Sequence, residues 1–241
     1  MSIVRSTAAD AEAPVDSSCY MERLHEWMTT RRGAHIITFN AEMAMLGQRD
    51  SEFARVLRAA DMLVPDGAGI VLALKLRGIS AQKCAGIELA EALLSAAACE
   101  QQSVFVIGGK PDVFDTAIQH WRDRLPALNV AGHHGYLNAE TETAVLEQIQ
   151  QQQPQLILVG MGVPRQEFWI RDRRHLAPHA LWIGVGGSLD VWSGTKNRAP
   201  LWLRDHYLEW LYRLYQEPWR WRRMLALPHF AWEVLLRGDK S

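Results

Sequence analysis

Gln155-Leu156-Ile157-Leu158-Val159-Gly160-Met161-Gly162-Val163-Pro164-Arg165-Gln166-Glu167 passes from an unbroken apolar run, through two glycines, into charged and amide side chains that open a helix-like segment. A short run without polar alternation reads as a strand buried on both faces, the kind a helix-covered parallel sheet contains. Glycine at its end permits the tight turn into the next helix. The same signature recurs at Val64-Pro65-Asp66-Gly67, at Ile107-Gly108-Gly109-Lys110 and at Ile183-Gly184-Val185-Gly186-Gly187-Ser188-Leu189-Asp190.

Outward from these turns, strand-like runs fall at 35–39, 62–64, 103–107, 129–131, 155–159 and 180–185. Helix-like segments fall at 51–60, 69–76, 87–99, 112–124, 140–152 and 166–175. Strands alternating with helices predict an α/β fold, a largely parallel sheet flanked by helices, with ligand sites beyond the carboxyl ends of the strands. The Gly- and Asp-bearing turns sit at those ends.

The chain has 241 residues, 48% of them hydrophobic, which suits one sizeable core plus an appendage. A formal net charge of −1 argues against bulk attraction to nucleic acid. Cys19, Cys84 and Cys99 lack metal-type spacing, so neither a disulfide framework nor a zinc site is expected, and a reducing cytoplasm fits best. The residues through Ser18 are small, polar and acidic and do not read as a signal peptide. No apolar stretch is long enough to span a bilayer.

Past Gly194 the composition shifts. Trp202, Trp210, Trp219, Trp221 and Trp232 lie among Arg198, Arg204, Arg213, Arg220, Arg222, Arg223 and Arg237. Indole prefers the polar boundary of a membrane and guanidinium binds phosphate, so this segment predicts a peripheral, membrane-associating appendage. The plainer reading is a set of packed helices with solvated arginines. The division expected is an N-terminal extension and first helix over 1–30, a catalytic domain over 31–195 and the appendage over 196–241.

Asp66 is the leading candidate for chemistry. It follows a short apolar strand, where partial desolvation makes a carboxylate a better base. Its competing role is N-cap of the helix starting near Gly69. Thr38 and Asn40 close the first strand as substrate-binding or base-orienting groups, or as caps. Gln166, Glu167 and Asp190 stand at two further strand ends, and amides near Lys110, Arg165 and Ser188 offer a diphosphate cradle. His133 and His134, adjacent on a strand, are expected to point apart and to be poor metal ligands. Leu189 stands where the third glycine of a dinucleotide fingerprint belongs, which disfavours a dehydrogenase.

Taken in order, Thr38-Phe39-Asn40-Ala41-Glu42-Met43, Pro65-Asp66-Gly67-Ala68-Gly69, Gly108-Gly109-Lys110-Pro111, His134-Gly135-Tyr136, 160–167, 184–190, Arg198-Ala199-Pro200 and 208–214 resemble the WecG/TagA/CpsF glycosyltransferases. The resemblance implies a Rossmann-like fold and an inverting transferase. It would move a sugar from a UDP-sugar to a polyprenyl-diphosphate-linked saccharide on the inner face of the cell membrane, in the synthesis of cell-surface polysaccharide. N-acetylmannosamine, its uronic acid and glucose are the sugars in view.

By position the resemblance gives Asp66 the general-base role, with Thr38 and Asn40 beside it. Gly108, Gly109, Lys110, Tyr136, Gln166, Glu167, Gly186, Gly187 and Asp190 become donor-binding candidates. Arg198, Arg213, Arg220, Arg222 and Arg223 become diphosphate or membrane contacts. Lys83-Cys84-Ala85-Gly86-Ile87-Glu88-Leu89 departs from the family's usual Arg-Val-Pro-Gly-x-Asp-Leu, so a phosphate contact at Lys83 would be a point charge in place of a fork. The chain has no Asp-x-Asp motif, so metal independence is expected, with backbone amides, Lys and Arg stabilising the leaving group. A non-catalytic nucleotide-sugar or lipid-phosphate binding subunit is the alternative. Nothing in the sequence fixes an oligomeric state.

Overall fold

A computed structural model describes residues 17–205 other than 77 and 80, together with residues 208–216 and 218. Six strands form one sheet: β1 (Ala34–Phe39), β2 (Met62–Pro65), β3 (Ser103–Gly108), β4 (Asn129–His133), β5 (Leu156–Gly160) and β6 (Leu181–Gly184). Their order is β2-β1-β6-β5-β3-β4, and every pairing is parallel. The expected α/β, Rossmann-like architecture is therefore the observed one. After β2 the chain crosses to β3, and β5 and β6 later fill the gap, so neighbouring strands leave the sheet toward different sides. Such a reversal opens a crevice beyond the carboxyl ends.

The core follows from side-chain alternation. Ile36, Val104, Val106, Leu156, Leu158, Leu181 and Ile183 face one cluster, which α1 (Ser17–Thr29), α5 (Gly86–Cys99) and α6 (Pro111–Arg124) cover. Ile37 and Phe39 face a second cluster with α2 (Ala41–Arg49), α3 (Ser51–Ala59) and α4 (Ala68–Lys75). Phe105, Ile107, Ile157, Val159 and Trp182 face a third, under α7 (Ala139–Gln152) and α8 (Arg165–Arg173). Successive residues on a strand point to opposite faces, so each strand feeds two cores. Burying each such aliphatic side chain contributes about 1.5–3 kcal/mol.

Local signals set the helix starts. Asp50 accepts from the amides of Glu52 and Phe53 at 2.9 and 3.0 Å to begin α3, and Asn138 and Thr141 form a capping box on α7. Pro111 opens α6, where a missing N–H costs nothing. Beyond β6 come α9 (Ser188–Trp192), α10 (Leu201–Asp205) and α11 (Glu209–Gln216). Trp192 meets Trp121 of α6 edge to face at 5.5 Å, which pins α9 against the sheet's helical layer.

Helix α2 was not among the expected segments. Asn40 caps it through an amide contact to Met43 at 3.0 Å, but Met43 stands where a capping box would carry Glu or Gln. A second correction concerns the histidine pair. Their rings lie 4.0 Å apart and do not diverge, because β4 ends at His133 and alternation stops with the extended chain. Among the described residues no helix is long and apolar enough to cross a membrane.

A close backbone approach lies between β3 and β5. A Cβ at Gly108, whose φ is +147°, would stand 2.4 Å from the carbonyl oxygen of Gly160. Gly108→Ala is expected to lower stability by about 2 kcal/mol or more, read as a smaller denaturation midpoint in urea with an unchanged slope.

Candidate active site

The carboxyl ends of β1, β2, β5 and β6 surround a cleft of about 150 Å³. Thr38 and Asn40 enter from β1, Asp66 from β2, Gln166 from the start of α8, and Gly186 and Gly187 from the turn after β6. The start of α5 forms another side. Lys196, Asn197 and Arg198, with Glu209, Tyr212 and Gln216 of α11, complete the wall. The appendage is thus part of the cleft.

Asp66 follows β2 directly, and its amide bonds to the Phe39 carbonyl at 2.8 Å, which holds it beside the end of β1. It does not cap α4. The cap residue is Gly67, at φ 98°, with no side-chain cap bond. Asn40 both lines the cleft and caps α2. The Thr38 hydroxyl donates to the Gly184 carbonyl at 3.3 Å, and only a glycine at position 86 leaves room for the Thr38 side chain, since a Cβ there would stand about 3 Å from it.

Gln166 lines the cleft yet is only 2% exposed. Its Oε1 accepts from the amides of Gly162 and Gly186 at 3.2 and 3.0 Å, and its Nε2 donates to Glu167 at 2.8 Å. Glu167 is fully buried, and its other carboxylate oxygen lies 2.8 Å from Nε2 of His35 on β1. A Cβ at Gly184 would fall 2.3 Å from both Gln166 and Glu167. Glu167 was expected to touch the donor. It lies beneath the cleft instead, because its carboxylate is engaged inside the protein. His35 escaped sequence reading, since a histidine opening an apolar strand carries no motif.

The other candidates are placed as follows. Gly108, Gly109, Lys110 and Tyr136 lie at the ends of β3 and β4, away from the cleft lining, with Tyr136 64% exposed. Asp190 pairs with the ammonium of Lys196 at 3.1 Å. Arg198 lines the cleft and pairs with Glu88, while its Nε is buried with no hydrogen-bond partner. Lys83 is engaged by Glu209 of α11 at 3.1 Å, an ion pair joining the appendage to the domain. Arg213 falls within α11 but its side chain is not described, and Arg220, Arg222 and Arg223 lie outside the described residues. Lys196, Asn197, Glu209, Tyr212 and Gln216 are lining residues that sequence reading missed.

No cluster of His, Cys, Asp and Glu among the described residues is arranged to hold a metal ion. Burial pushes the Cys84 thiol up to about 12, and the carboxylates of Asp66 and Glu88 add to the shift by opposing a second negative charge.

The family model of the glycosyl transferase WecG/TagA/CpsF family matches residues 12–240. The chain belongs to that family. A Bacillus subtilis (strain 168) relative is 37% identical over 218 residues, 90% of this chain and 84% of its own length. A Staphylococcus aureus (strain MW2) relative is 34% identical over 200 residues, 83% and 78% respectively. Both are named N-acetylglucosaminyldiphosphoundecaprenol N-acetyl-beta-D-mannosaminyltransferase. The protein is accordingly a WecG/TagA/CpsF glycosyltransferase, and the dehydrogenase reading falls. Of the sugar types expected from the sequence, the relatives' names carry N-acetylmannosaminyl.

Because the thiolate is the reactive form, Cys84 in the native transferase is expected to resist iodoacetamide while exposed Cys99 reacts. Asp66→Asn removes one of the charges opposing ionisation, so it should speed Cys84 alkylation at about pH 10 without changing Cys99, read by mass spectrometry.

Proposed function

We propose that this glycosyltransferase moves a hexosamine, N-acetylmannosamine foremost, from a UDP donor to polyprenyl-diphosphate-linked N-acetylglucosamine. The transfer inverts the anomeric centre and uses Asp66 as general base. The sugar and acceptor rest on the names of the relatives. The observation that carries the mechanism is the cleft itself, where Asp66, Thr38 and Asn40 share a lining with Lys196 and Arg198.

In a single displacement the acceptor hydroxyl oxygen attacks the anomeric carbon. The new C–O bond forms as the bond to the UDP oxygen breaks, and UDP leaves with the electron pair. Asp66 takes the hydroxyl proton, which avoids a positively charged oxygen in the transition state. Negative charge gathering on the diphosphate calls for donors placed in advance. Arg198, whose buried Nε lacks a partner, and Lys196 fill that need from the appendage side, and the planar guanidinium fork matches two oxygens of a tetrahedral phosphate. No step requires a divalent metal.

Helix α11 borders the cleft and is joined to the domain by the ion pair Lys83–Glu209 at 3.1 Å. Trp202, Leu211 and Tyr215, exposed on α10 and α11, give this segment an apolar surface suited to the membrane that carries the acceptor.

Transfer from a panel of UDP-sugars to a polyprenyl-diphosphate monosaccharide tests the reading. UDP-N-acetylmannosamine is expected to be the productive donor, with turnover unchanged in EDTA and cut by about 10² to 10⁴ in Asp66→Asn. Strict dependence on added metal, or an Asp66→Asn variant as fast as wild type, would overturn the mechanism. UDP-sugar binding without turnover would favour a binding subunit.

A further inference from the structure

The orientation of the Gln166 amide is dictated from two sides. Two backbone N–H groups, of Gly162 and Gly186, converge on one terminal atom, which must therefore be the oxygen. The NH₂ end then faces Glu167, which must accept. Glu167 in turn takes a hydrogen bond from His35, so the imidazole carries its proton on Nε2. The His35 and Glu167 side chains are 3% and 0% exposed, so water is no substitute for either. Gly162 and Gly186 have φ of +78° and +52°, left-handed conformations that glycine adopts readily, and they place both amides where Gln166 binds them.

We propose that His35 is a positioning residue for sugar transfer, acting through Glu167 on Gln166 and so on the turns after β5 and β6. The inference rests on the transferase reading above, with Gly186 and Gly187, which line the cleft, as the donor-binding candidates of the turn after β6. His35 touches no substrate. It holds one Glu167 oxygen so that the other faces the Gln166 NH₂, which keeps Oε1 toward the two glycine amides. Without the His35 donor, one Glu167 oxygen is buried and unpartnered, and the Gln166 amide loses the constraint on which way it faces. A reversed amide would set NH₂ against two N–H groups and release both turns.

A buried hydrogen-bonded pair with no other duty would give stability alone, and four variants separate the roles. His35→Gln retains an N–H that reaches Glu167. His35→Leu removes it. Glu167→Leu removes the acceptor, and the double variant His35→Leu/Glu167→Leu replaces the whole pair with apolar groups, which recovers much of the lost stability. KM for UDP-N-acetylmannosamine and for the lipid-linked acceptor would be measured alongside thermal midpoints. Expected are a donor KM raised about tenfold or more in His35→Leu, Glu167→Leu and the double variant, an acceptor KM within about twofold, and near wild-type values in His35→Gln.

If His35→Leu does not fold, the double variant and His35→Gln decide. A double variant with a wild-type donor KM makes the pair packing only and overturns the inference. A wild type that transfers nothing removes the transferase reading and this inference together, whereas an active wild type beside variants of unchanged donor KM removes the inference alone.

Discussion

The all-parallel pairing of six strands is the constraint on which the rest of this molecule depends. Parallel neighbours require a crossover between them, so every strand delivers its carboxyl end to the same rim, and the turns at Asp66, Gly108, Gly160 and Gly186 arrive there. Thr38, Asp66, Gln166 and Gly186 are far apart in sequence and share one cleft for that reason. The crossovers also cover both faces, which is why β5 is apolar at each position from Leu156 to Val159 and fully buried at all of them. Core and site are two consequences of one topology.

How much of this was legible follows from which interactions are local. Strand positions were readable within a residue or two because an apolar run bounded by Gly or Pro has few other uses, and most of the helices between them announced themselves the same way. Helix α2 was missed because its cap is a lone asparagine without the reciprocal partner three residues on. Asp66 could be singled out, but its competition with a capping role was decided only by the backbone, where Gly67 takes the cap position. Glu167 shows the opposite limit: a carboxylate at a strand end looks like a ligand contact, and only the distant β1 histidine reveals that it faces inward. The appendage contacts, such as Lys83 with Glu209, join residues more than a hundred positions apart and leave no periodicity to read.

Electrostatic organisation around the cleft is uneven. Arg198 and Lys196 come from the segment that follows the sheet, and each is steadied by a carboxylate, Glu88 and Asp190 respectively. These pairs are partly exposed and contribute modestly to stability, so their value lies in holding long cationic side chains near the cleft. Asp66 stands on the opposite, strand-borne side. The cations therefore belong to the segment that follows the sheet, and the carboxylate to a strand end.

The lack of space at Gly184 bears on how such an enzyme changes its preferences over time. With Gln166 and Glu167 both 2.3 Å from where a side chain would begin, position 184 cannot acquire one while those two remain. With His35 added, four positions on three elements are locked into a unit that must drift together or stay as it is. The α11 side of the cleft is made by Glu209, Tyr212 and Gln216, none of which takes part in that unit. New substrate shapes are reached most cheaply by altering that wall, while the strand-borne side is inherited whole.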